Sequence, residues 1–289
     1  MVSQLNLLNL GNKIIIQIMR LALFFNNLRG LEVYKTLKKK FIVDIYLSQK
    51  NLNRELLEHL KGERIIIIKK INSTIINNIK KKNYYLLITA GWPLIFPRTL
   101  YLSSSKGTIN LHAGKVPKYR GGSPLNWQII NSEKKIEISV LKMTSKLDAG
   151  PVYDYKNFDL KPSHDILSVH QKVNKIFPKM VLKTIKKIKK GIKPKKQNKD
   201  NNKNFYRQRH EADGLIIWTR MDSLQVFNFV RAITLPYPGA YYYNNKNIKK
   251  KIFICKISKL NPKIKPGTEF NLNKKLYIKC KKNSIEVIN

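Results

Sequence analysis

The sequence predicts an α/β protein: a Rossmann-like, open, mostly parallel sheet with helices on both faces, plus a small β-rich C-terminal module. Three observations carry this. Apolar runs of strand length alternate with segments of helical periodicity from Leu21 to Thr89, and strand–helix alternation means parallel strands joined by crossovers. A polar, low-complexity stretch, GIKPKKQNKDNNKN at 191–204, interrupts the chain. Beyond residue 241 only short apolar runs remain, separated by Lys-rich turns. The organisation that follows is a loose extension at 1–18, a main domain at 19–190, a linker at 191–204 and a small module at 205–289. A chain of 289 residues is long enough to bury a full core and a second, smaller one.

Residues 1–18 lack a basic segment followed by a small-residue cleavage site, so they read as detached from the fold rather than as a signal peptide, with Met19 as a candidate functional start. Leu21–Phe25 reads as a buried strand, residues 26–30 as a tight turn and Leu31–Lys39 as a helix. Next come Phe41–Leu47 (strand), Leu52–Leu60 (helix), Arg64–Lys69 (strand), Ser73–Lys81 (helix) and Tyr84–Thr89 (strand). No Gly-x-Gly-x-x-Gly follows the first strand, so a dinucleotide fingerprint is not supported. Residues 90–97, AGWPLIFP, are apolar yet carry two prolines, and read as a loop. Ser123–Ser132 reads as a helix with Pro124 in its first turn. Ile136–Met143 and Val152–Leu160 alternate as strands, 162–190 is helical with one apolar face, and Ser223–Ile233 is a further helix.

The chemistry concentrates in residues 107–127, GTINLHAGKVPKYRGGSPLNW. A short strand carries Asn110 and His112 to its end. Strand side chains alternate, so these two share a face while Leu111 points to the other. An amide can donate to a developing oxyanion, and an imidazole can take a proton near neutral pH. Asp148, in the Gly/Pro turn Leu147–Pro151, supplies a carboxylate that could hold the His112 tautomer. The alternative is that Asn110 and Asp148 simply make turns and His112 is an ordinary buried histidine. No His/Cys/Asp cluster has metal-ligand spacing, so no metal is expected.

Composition excludes some classes. No run of about 20 apolar residues exists to span a membrane. Two cysteines, Cys255 and Cys280, argue against a disulfide framework and fit a reducing, cytoplasmic location. The net charge of +40 suggests a polyanion partner such as tRNA. The competing account is codon composition: Arg is scarce, and Lys, Ile and Asn are abundant throughout.

Asn110-x-His112, then Pro117-Lys118-Tyr119-Arg120-Gly121, then Leu147-Asp148-x-Gly150 lying 36 residues after the histidine, resembles the signature of the folate-dependent formyltransferases. The resemblance covers roughly residues 19 to 245. It implies transfer of a formyl group from 10-formyltetrahydrofolate to an amine, with Asn110, His112 and Asp148 as the catalytic trio. It also implies that the loop after the fourth strand lines the pterin site, with Trp92, Ile95 and Phe96 as lining and Asp148 as a further cofactor contact. One departure stands out: Phe24-Phe25-Asn26-Asn27 occupies the first turn, where the family usually has a glycine.

Several acceptor classes share this signature. The length beyond the linker disfavours glycinamide-ribonucleotide formyltransferases, and the N-terminal regulatory domain that formyltetrahydrofolate hydrolases carry is not expected here, which disfavours that class too. Methionyl-tRNA formyltransferases share Asp213-Gly214-x-Ile216-x-Trp218 but typically read P-W-P-G-A, where this chain has Pro236-Tyr237-Pro238-Gly239-Ala240. The sugar N-formyltransferases are the nearer resemblance, which implies a nucleotide-linked amino sugar as acceptor, with tRNA as the alternative. A third reading is a basic RNA-binding protein on the same scaffold. A homodimer through the exposed C-terminal strands is left open.

Overall fold

A computed structural model describes residues 6–10, 13–17, 19–198 and 205–288. Of the expected extension and linker, residues 1–5, 11–12, 18 and 199–204 lie outside the described residues. Within the extension, β1 (Asn6–Leu10) and β2 (Lys13–Gln17) pair antiparallel. The described residues fall into two compact units. The first lies within Met1–Pro117, Ile138–Lys156 and Lys172–Asn202, and the second within Lys118–Glu137, Asn157–Gln171 and Lys203–Asn289.

The first unit is built on strand–helix alternation: β3 (Arg20–Phe25), α1 (Leu28–Leu37), β4 (Ile42–Ser48), α2 (Arg54–His59), β5 (Ile65–Ile68), α3 (Ser73–Lys81), β6 (Leu86–Ala90), α4 (Arg98–Tyr101) and β7 (Thr108–His112). After β8 (Arg120–Gly121) and α5 (Pro124–Ile130) come β9 (Lys135–Lys142), β10 (Val152–Asp159) and the long α6 (Ile166–Lys189). Seven strands form one sheet in the order β10-β9-β7-β6-β3-β4-β5. Pairings among β3 to β7 are parallel, and β9 joins β7 antiparallel. The strand order reverses between β3 and β6, and in such sheets ligands bind outside the carboxyl ends of the strands.

The continuous apolar runs explain why β3 and β6 sit centrally. Leu21–Phe25 and Leu86–Ala90 are buried along their length, as strands covered on both faces must be. Ala22, Phe24, Tyr46 and Leu87 pack with Ile79, Leu100 and Tyr101 of α3 and α4. Toward the other face, α1 approaches β3 so closely that a Cβ on Gly30 would stand 2.1 Å from that of Phe25. Residues 28–30, expected in a turn, are therefore already helical: Asn27 caps α1 by accepting from the Gly30 N–H. Asn53 and Asn72 cap α2 and α3 in the same way.

The second unit joins α5 to α7 (Ser223–Ile233), with the Asn126 amide donating to the Ala232 carbonyl at 2.8 Å. The two residues of β11 (Phe205–Tyr206) pair parallel with β8. Tyr206 stacks on Tyr119, centroids 5.0 Å apart, and the Trp127 indole donates to the Arg207 carbonyl at 3.0 Å. Gly121 lies where a Cβ would meet the Tyr206 carbonyl at 2.1 Å. The C-terminal module consists of a hairpin, β12 (Ala240–Tyr243) with β13 (Lys249–Ile252), and a four-stranded antiparallel sheet. That sheet comprises β14 (Cys255–Ser258), β15 (Glu269–Leu272), β16 (Lys275–Lys279) and β17 (Ser284–Val287), ordered β14-β17-β16-β15. No helix among the described residues is long and apolar enough to cross a membrane.

Candidate active site

β7 is a five-residue strand whose side chains alternate about Leu111, itself buried in the core. Asn110 and His112 project from one face at the carboxyl end of the parallel set. Their register is fixed on both sides: Thr89 of β6 pairs with Asn110, and Ser139 of β9 with His112. Ser139 is fully buried, and its hydroxyl donates to the Gly114 carbonyl at 2.9 Å. This bond ties down the first residues of the loop that leaves β7.

Asp148 meets both side chains. Its Oδ1 accepts from Asn110 Nδ2 at 3.0 Å, and its Oδ2 lies 3.5 Å from His112 Nδ1. The side chains of His112 and Asp148 are 5% and 7% exposed, so their attraction is little screened by water. Asp148 reaches them from a tight turn. It has φ +48°, in the left-handed region, where Asp is tolerated better than most residues. Two residues on, Gly150 has no room for a side chain: a Cβ there would stand 1.8 Å from the Lys142 carbonyl. The turn is thus pressed against the end of β9.

The arrangement orients its own groups. A carboxylate only accepts hydrogen bonds, so Asn110 must turn its amide nitrogen to Asp148. Its oxygen then accepts from the Thr89 hydroxyl at 2.8 Å. The second Asn110 N–H remains to donate to an oxygen that gains negative charge. By the same logic, a proton on His112 Nδ1 faces Asp148 and the lone pair sits on Nε2, the tautomer a general base needs.

The loop at 91–97 divides its three expected lining residues. Trp92 is half-buried against Phe24 and Phe96, at 5.3 and 6.2 Å between ring centroids. Phe96 is buried and packs edge-on to Phe24 at 4.9 Å. Ile95 stands out at 84% exposure. The Trp92 indole N–H is buried without a hydrogen-bond partner, an unmet donor in the loop expected to face a polar, flat ring. Among the described residues no group of three His, Cys, Asp or Glu side chains is placed to hold a metal ion.

Sequence reading missed two contributors. Thr89 was the last residue of an apolar strand, and only the β6–β7 register shows that it meets Asn110. Gln197 lies in the polar stretch whose composition predicts a linker; its amide donates to the Asp148 and Gly150 carbonyls at 2.8 and 2.7 Å. Low-complexity composition hides single functional residues, and neither position carried a pattern that could have revealed it.

Comparison with known proteins places this geometry in context. Residues 30–185 match the family described as formyl transferase, and residues 209–289 match the formyl transferase C-terminal domain. A bifunctional polymyxin resistance protein ArnA from Wigglesworthia glossinidia brevipalpis is 32% identical over 221 residues, covering 74% of this chain and 33% of that protein. This chain therefore spans about a third of that relative. A methionyl-tRNA formyltransferase from Caldanaerobacter subterraneus subsp. tengcongensis is 28% identical over 221 residues, covering 76% of this chain and 70% of that protein. Among solved structures, a 4-N formyltransferase from Francisella tularensis superposes with a TM-score of 0.68 at 20% identity, over 82% of this chain and 97% of that one.

Proposed function

Because the chain belongs to the formyl transferase family, we propose that it transfers a formyl group from 10-formyltetrahydrofolate to a primary amine. The observation that supports this best is the single Asp148 carboxylate joined to both Asn110 and His112 at the end of β7. The folate supplies the formyl carbon. The chain's own groups do the rest. His112 Nε2 takes the proton that the amine sheds as it adds to that carbon, and gives it up to the donor nitrogen as the bond from that nitrogen to the formyl carbon breaks, so that tetrahydrofolate leaves neutral. The outward N–H of Asn110 donates to the oxygen on which negative charge develops, a contact whose removal costs about 10²–10³ in turnover. Asp148 holds both groups and stabilises the imidazolium. The apolar loop at 91–97 is the proposed wall for the pterin, with Trp92 able to donate its unmet indole N–H, Phe96 supporting it from the core and Ile95 offering an apolar surface.

As acceptor we favour the amino group of a nucleotide-linked sugar. The run Pro236-Tyr237-Pro238-Gly239-Ala240 supports this. The second reading is methionyl-tRNA, supported by the Caldanaerobacter relative, a methionyl-tRNA formyltransferase. The test is a competition. Protein and 10-formyltetrahydrofolate are offered methionyl-tRNA and a panel of UDP- and dTDP-linked amino sugars, and tetrahydrofolate release is followed. Turnover with sugars alone supports the first reading and turnover with tRNA alone the second. Turnover with neither removes both.

A further inference from the structure

The Asp148 turn is held by a part of the chain far from it in sequence. We infer that Gln197 is a positioning residue for the reaction, acting through Asp148; this rests on the formyl-transfer reading of the trio. One side-chain amide of Gln197 donates to two backbone carbonyls, those of Asp148 at 2.8 Å and Gly150 at 2.7 Å. Both acceptors are carbonyl oxygens, so the Gln197 nitrogen and not its oxygen faces the turn. The segment is drawn alongside by backbone bonds as well: the Val152 N–H donates to the Lys195 carbonyl at 2.7 Å, and the Lys195 N–H returns to the Val152 carbonyl at 2.9 Å. Residues 195–197 thus brace 148–152 on one side, while the end of β9 blocks it on the other at Gly150.

The brace is needed because the turn is conformationally expensive and its output is sensitive. Asp148 sits at φ +48°, a region that costs a residue with a side chain more than the right-handed or extended ones do, although Asp tolerates it better than most. Its Oδ2 is already 3.5 Å from His112 Nδ1, so a small outward shift would break the contact that sets the His112 tautomer. Both of these Gln197 hydrogen bonds end on the backbone of the turn. Its effect passes through the backbone of Asp148.

The test uses the full chain with Gln197→Ala and Gln197→Glu. The second variant sets a carboxylate oxygen against two carbonyl oxygens. Backbone amide exchange at Ala149, whose N–H bonds the Lys146 carbonyl, should quicken about tenfold in either variant. With the amine that the competition assay identifies, kcat should fall about tenfold to hundredfold while both KM values stay within about twofold. A double-mutant cycle gives the decisive readout: in an Asp148→Asn background, Gln197→Ala should cost no further activity. Unchanged exchange at Ala149 would overturn the brace. Activity losses that multiply in the double mutant would overturn action through Asp148. If the wild type formylates no amine, the proposed function fails, and the exchange result alone still decides whether Gln197 holds the turn.

Discussion

Replacing Asp148 by Asn tests the trio more sharply than any truncation. The variant keeps shape and suits the backbone, since Asn is among the residues that tolerate the φ of +48° found there; Ala would add strain to the chemistry being measured. The carboxylate accepts at both ends, from Asn110 Nδ2 at 3.0 Å and toward His112 Nδ1 at 3.5 Å. A carboxamide accepts at one end only. If its NH₂ faces His112, the ring must present a lone pair at Nδ1 and carry its proton on Nε2, where it can no longer act as base. If its NH₂ faces Asn110, two donors oppose each other in a buried site at a cost of about 1–3 kcal/mol. The wrong tautomer costs about 10⁴ in kcat in a well-formed triad, and the 3.5 Å separation here is looser. We therefore expect a loss of about 10³ in kcat, with the thermal midpoint near that of the wild type. The assay is tetrahydrofolate release at saturating substrates, paired with nitrogen NMR of the His112 ring. A variant turning over within about tenfold of the wild type, with the His112 proton still on Nδ1, would refute the reasoning.

Two further predictions concern the scaffold. Burial pushes the Asp44 carboxyl up, but hydrogen bonds from Lys82, Tyr84 and Arg20 outweigh it and hold the group below its ordinary value of 3.8. A folded value below the unfolded one contributes stability above the unfolded value, and this is lost as pH falls through the folded value. Asp44→Asn should thus lower stability by about 2 kcal/mol equally at pH 7 and 5, with the difference beginning to close as pH falls below the ordinary carboxyl value; thermal melts of both proteins would show it, and a difference that does not narrow on acidification would contradict it. Burial likewise pushes the thiols of Cys255 and Cys280 up to about 12, so at pH 8 a chromogenic disulfide reagent should label neither thiol in the native protein and both in denaturant. Rapid native labelling would show the C-terminal sheet to be more open than described.

The fold was legible where one physical signal dominated. Leu21–Phe25 and Leu86–Ala90 are apolar on both faces because helices cover both, and their runs are unbroken. The helices Ser73–Lys81 and Ser223–Ile233 match their expected bounds, each started by a polar cap, Asn72 or Asp222, that accepts from the backbone. Legibility failed where a residue type has two uses. Gly30 reads as a turn residue, but here it lets a helix approach Phe25. The site was legible to the extent that strand alternation places Asn110 and His112 on one face. That Asp148 binds Asn110 as well as His112 depends on the β7–β9 register and on a left-handed turn, neither of which spacing along the chain reveals.

The first turn is built by two asparagines and one glycine from different loops. Asn26 and Asn27 occupy this turn, and each side chain has work that glycine could not do. Asn26 donates to the carbonyls of Ser48 and Lys50, at 2.7 and 2.8 Å, and accepts from the Ser48 N–H at 2.7 Å, lacing the end of β3 to that of β4. Asn27 caps α1. The space they fill is found across the strand-order reversal, at the end of β6. Gly91 there has φ +65°, and a Cβ on it would stand 1.8 Å from Asn27 Nδ2. A glycine is therefore required at position 91, where the two loops diverge. The tightness of this corner is a property of the pair and not of either turn: position 91 must stay without a side chain while Asn27 fills the space beside it. That constraint falls on the residue just before Trp92, and so on the entry to the loop proposed to wall the pterin.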